Sequence, residues 1–109
     1  MNFIYHTDQH ELASDFKELI EPRLESLIKF NAKMQTIEIK VKFLESNRIK
    51  KLNHEVILSN TTLGIFVKGT GKGINDLAAF DKAFKVLENQ MRKMHSKKVE
   101  KKQNIKLES

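Results

Sequence analysis

The sequence predicts an α+β domain in the order β-α-β-β-β-α, a four-stranded sheet with two helices packed on one face. Three observations predict it. Ile37, Ile39, Val41 and Phe43 alternate with Glu38, Lys40 and Lys42, which is the period of a half-buried strand. Leu77, Phe80, Phe84, Leu87, Met91 and Met94 recur at steps of three and four, which is the period of an amphipathic helix. Between these segments, "LNHEVILS" and "LGIFVK" are two further strand-like runs separated by the polar "NTT". At 109 residues, with 39% hydrophobic and 31% charged, the chain can bury one core and lacks the composition of a disordered segment.

Taken in order, "NFIYH" is aromatic and β-branched and reads as the first strand. Leu12, Phe16, Leu19, Ile20, Leu24 and Leu27 then line one face of a helix, with Ser14 or Asp15 able to cap its start. Pro22 falls inside this pattern, where a missing donor and a crowded preceding turn predict a kink, or a main helix that opens at the proline. "QTIEIKVKFLE", "LNHEVILS" and "LGIFVK" come next as three strands of an antiparallel meander, with Phe3, Tyr5 and Phe43 expected in the core and Phe66 on the open face. The last helix places Lys82, Lys85, Asn89, Arg92, Lys93 and Ser96 opposite its apolar stripe.

Charge narrows the partners. The chain carries a formal +6, and residues 85–109 alone hold eight lysines and arginines against three glutamates, a net +5. Such a balance favours a polyanion such as nucleic acid. No apolar run reaches the roughly 20 residues of a membrane helix, and "MNFIYHTDQHE" lacks the basic start and apolar stretch of a signal peptide. A soluble cytoplasmic protein with no membrane partner is the expectation.

Catalytic chemistry finds little to stand on. Without cysteine there is no disulfide, thiolate metal site or thiol nucleophile. His6, His10, His54 and His95 are scattered and lack paired ligand spacing, so no metal is expected. Gly64 and Gly69 have the separation of a phosphate-binding loop, but Thr70 stands where its lysine belongs, and Gly69, Gly71 and Gly73 fall one residue short of a dinucleotide fingerprint. "KGTGKG" therefore reads as a flexible strand-to-helix connection whose Lys68 and Lys72 could touch phosphates beside a helix N-terminus. No enzyme, cofactor or small-molecule substrate is expected.

The final helix carries "AAFDKAFKVLENQMRK", which is similar to the A-A-I-D, five variable residues, L-E-x-Q-L and x-K pattern of the ribosome hibernation-promoting factors, a family that includes the ribosome-associated inhibitor A proteins. Ala78, Ala79, Asp81, Leu87, Glu88, Gln90 and Lys93 match in register, and Lys17, Arg23, Leu27, Phe30 and Lys33 fall on the family pattern that runs from the first helix towards the second strand. Val86, Asn89 and His95 stand where family members often carry basic residues; Lys85, Arg92 and Lys98 lie close by. The resemblance covers residues 1–98, leaving 99–109 as a basic tail expected to fray or be disordered.

This resemblance implies a fold like that of double-stranded-RNA-binding domains and a stress or stationary-phase factor. Such a factor binds the small ribosomal subunit and its 16S-type rRNA, or the whole ribosome, at the decoding region. There it occludes messenger RNA and the A- and P-site transfer RNAs and inhibits translation. Contacts to rRNA are assigned to Lys82, Lys85, Arg92, Lys93, Lys97 and Lys98, with Lys17, Arg23 and Lys33 as a second group. Lys93, Lys97, Lys17, Arg23 and Lys33 occupy family basic positions; the others follow from helix geometry. The chain looks like a short form without the dimerising second domain, and a helper protein for ribosome dimerisation is left open. The alternatives are a general double-stranded RNA-binding module and a protein-interaction module for an acidic partner.

Overall fold

The computed structural model describes residues 1–8, 12–30, 34–44, 53–62 and 65–108, with backbone alone at 61, 62, 65 and 95–108. The strands are β1 (Asn2–Thr7), β2 (Thr36–Phe43), β3 (His54–Thr62) and β4 (Ile65–Gly73). The helices are α1 (Phe16–Glu25), a 3-10 turn (Ser26–Lys29) and α2 (Asp76–Glu108). Sheet order equals chain order, β1-β2-β3-β4, with β1 parallel to β2 and the other pairs antiparallel. The predicted α+β order is therefore the observed one.

One face of the sheet is shut. Ile37, Ile39 and Val41 of β2 and Val56 and Leu58 of β3 are fully buried, and Ile20, Leu24 and Leu27 descend on them together with Phe80 and Leu87 of α2. Phe16 meets Phe80 edge-on at 6.4 Å, which joins the two helices over the same core. Phe3 and Tyr5 are half-buried against this cluster, whereas Phe43 is 37% exposed at the end of β2, its ring centre 5.2 Å from that of His54 with the planes steeply inclined. The alternation that buries Ile37 to Val41 thus runs out before Phe43.

Three elements depart from expectation. The helix begins at Phe16, so Pro22 lies inside it and does not open it. Pro22 faces solvent, where water can take the carbonyl it leaves unbonded, while Ile20 and Leu24 on either side anchor the buried face. "NTT" is not a turn: β3 continues through it, pairing Asn60 with Val67 and Thr62 with Ile65, and the Asn60 side chain donates to the Thr36 carbonyl of β2. β-branched threonines suit a strand, and buried Asn60 finds its partner across the sheet. Residues 63–64, which separate β3 from β4, lie outside the described residues, as does the whole of the "SNRIKK" link.

The third departure is the glycine stretch. "KGTGKG" forms the second half of β4, not a flexible connection. Gly69, Gly71 and Gly73 point inward at α2, alternating with outward Lys68, Thr70 and Lys72. A β-carbon on any of them would strike helix backbone: on Gly69 it would lie 2.7 Å from the Leu87 nitrogen, on Gly73 2.6 Å from the Ala79 nitrogen, and on Gly71 it would clash with Ala79 and Ala83. With Ala79 and Ala83 fully buried opposite, small residues on both sides let α2 lie directly on the strand.

α2 starts cleanly. The Asn75 side chain accepts from the Ala78 N–H at 2.7 Å, satisfying one of the free donors of the first turn. Asn75→Ala is expected to lower stability by about 1 kcal/mol, read as a shift in the urea midpoint with an unchanged slope. Farther along, Gln90 accepts from the Lys68 N–H at 3.2 Å and so covers part of the outer edge of β4.

Candidate nucleic-acid interface

Along the solvent side of α2, Lys82, Lys85, Arg92 and Lys93 are all exposed, with Val86 and Asn89 between them. From 82 to 93 the helix rises about 16 Å, so four cations share one ridge. The apolar stripe holds the opposite side down through Phe80, Phe84, Leu87 and Met91. Burial therefore sets which way the cations point.

The seam between α1 and α2 adds to this ridge. Arg23 donates to Asp81, and its guanidinium lies 5.2 Å from the Phe80 ring centre and 4.8 Å from that of Phe84. Its planar cation thus clamps the helices together while its side chain stays 41% exposed. Arg92 reaches Glu88 at 3.4 Å and the Phe30 ring at 5.9 Å, and the Lys29 ammonium lies 5.1 Å from the same ring. Lys29 is a cation beside the ridge that sequence reasoning did not single out; its signal was its place next to the matched Phe30.

Other predicted residues lie apart. The Lys17 ammonium sits 4.5 Å over the Tyr5 ring, on the β1 side of α1. Tyr5 donates to the Glu21 carboxylate at 2.8 Å. Burial, then this hydrogen bond and the nearby Glu21 charge, push the phenol well above its ordinary range. A phenol held protonated in the fold contributes stability that is fully present below about pH 10 and is lost as pH rises further. Ultraviolet titration is expected to show no phenolate from this single tyrosine until the protein unfolds in alkali.

Lys68 and Lys72 occupy exposed, outward positions of β4, alternating with the glycines that face α2. Lys33 and His10 lie outside the described residues, as do the side chains of Lys97, Lys98 and His95. His54 pairs through Nδ1 with Asp76 at 2.7 Å, tying β3 to the first turn of α2. Among the described residues no three histidine or carboxylate side chains gather as metal ligands, and no helix is long and apolar enough to cross a membrane.

The fold has solved counterparts. A ribosomal subunit interface protein from Coxiella burnetii superposes with a TM-score of 0.73 at 17% identity, covering 88% of this chain and 99% of that one. The N-terminal domain of Protein Y from Thermus thermophilus gives 0.66 at 16% identity, covering 85% and 94%. No curated protein sequence matches the chain. Residues 3–99 match the model of the sigma 54 modulation protein / S30EA ribosomal protein family, so β1 from Phe3 onward, the other three strands, α1 and most of α2 fall within the match. The chain belongs to that family, whose members bind ribosomes and are not enzymes.

Proposed function

We propose that the protein is a cytoplasmic ribosome hibernation factor. It binds the small subunit at the decoding region, excludes messenger RNA and the A- and P-site transfer RNAs, and so inhibits translation under stress or in stationary phase. The observation that carries this reading is the ridge of Lys82, Lys85, Arg92 and Lys93 on a helix of a ribosome-binding family. Exposed cations fixed on a rigid helix match rRNA phosphates by position, and inhibition then follows from occupancy alone. Lys97, Lys98, Lys17, Arg23 and Lys33 would supply further contacts to rRNA.

Co-sedimentation with small subunits and whole ribosomes across a salt series tests the reading. Saturable, near one-to-one binding that messenger and initiator transfer RNA displace is the expected result. Absence of binding at low salt, or binding indifferent to both RNAs, would overturn it.

A further inference from the structure

We infer that the outer face of the sheet is a second RNA-contact surface, separate from the α2 ridge, which takes single-stranded RNA with one base stacked on Phe66. The inner face is closed by both helices, so anything on the outer face meets a different side of the molecule. Phe66 stands there 61% exposed on β4. Beside its ring opens a shallow hollow of about 180 Å³, lined by Thr36, Glu38, Ser59 and Asn60.

The chemistry of the hollow suits a base. An exposed aromatic plane stacks any nucleobase, and the Glu38 carboxylate and Ser59 hydroxyl, both on outward positions, accept from an amino edge such as that of cytosine. A phosphate would be repelled at Glu38, which makes the hollow a base subsite and leaves the backbone to the cations around it. Lys68 and Lys72 continue from Phe66 along the same side of β4, four residues or about 13 Å apart. Lys40 and Lys42 stand on the outward side of β2. These four lysines outweigh the two glutamates of the face, Glu38 and Glu55, so the surface is complementary to a polyanion.

A single strand fits where a duplex does not. Bases inside a duplex are stacked on their neighbours and cannot lie on a side chain, whereas an unpaired strand offers a π-face at every step. The α2 ridge has no exposed aromatic ring among its described outward residues, so the two surfaces read different features of RNA.

Fluorescence anisotropy of the full chain with a labelled oligocytidylate of about ten nucleotides, within the usual single-strand site size, tests this. Phe66→Ala is expected to weaken binding about tenfold and Phe66→Tyr to restore it. Lys68→Ala with Lys72→Ala should flatten the salt dependence, and Lys82→Ala with Lys85→Ala should cost less than Phe66→Ala. Amide shifts during the titration should fall on the β2 to β4 outer face. The proposal is overturned if wild type does not bind the oligonucleotide, if Phe66→Ala binds as tightly as wild type, or if the helix pair costs more. The ribosome reading is tested apart from it: small subunits that fail to bind would sink that reading, while a Phe66-dependent single-strand site would stand.

Discussion

Gly71→Ala is expected to destabilise the protein by about 3 kcal/mol, the upper end of the usual cost of overpacking. The added methyl would meet the Ala79 carbonyl and the Ala83 nitrogen, both helix backbone, so relief requires α2 as a whole to lift from β4. For a domain of about 100 residues this lowers the thermal midpoint by roughly 10–20 °C. The sign is itself diagnostic. At a strand position with open space, the same change removes unfolded-state freedom and stabilises by about 0.4–1 kcal/mol. Thr70→Ala, on the outward side of the same strand, is expected to stay within about 0.5 kcal/mol of wild type. A Gly71→Ala protein as stable as its parent would mean that α2 does not rest on this strand.

The second large effect concerns binding. Lys82→Ala, Lys85→Ala and Lys93→Ala together are expected to lower small-subunit affinity between about tenfold and a hundredfold at physiological salt. They should also reduce the slope of log affinity against log salt by about two to three. Arg92 is kept because it also packs on Phe30 and Glu88, and its loss would mix packing with charge. The three lysines are exposed, so the thermal midpoint of the triple variant should match wild type. An unchanged salt slope would remove the ridge from the interface and send the search to the cations of α1.

Much of the architecture is legible in two periodicities. Burial of Ile37, Ile39 and Val41 follows from alternation, and burial of Phe80, Phe84, Leu87 and Met91 from helical spacing. Because burial orients a helix, the same spacing also places Lys82, Lys85, Arg92 and Lys93 in solvent. The glycine strand is harder. Local propensity reads "KGTGKG" as a loop, since glycine gains nothing from a strand on its own; only the backbone of α2, folded back over the strand, gives a reason for its absence of side chains. The clue was the two-residue period of Gly69, Gly71 and Gly73. Arg23 illustrates a different limit: a lysine or arginine on a helix carries no mark of whether it faces water or, as here, locks onto Asp81 and a pair of aromatic rings.

The identity of sheet order and chain order has a consequence for how the molecule forms. Each new strand is laid beside the one made just before it, and no strand has to be threaded between two that are already paired. Loop closure is cheapest where β3, β4 and α2 follow one another within short connections, so a β3-β4-α2 nucleus can form from sequence neighbours. β2 then adds to an existing edge, and β1 joins in parallel through the longer excursion of α1. The strand that leaves the ribosome first during synthesis is thus the one whose pairing waits for the next strand and the helix between them, and the nascent sheet grows outward from its far end.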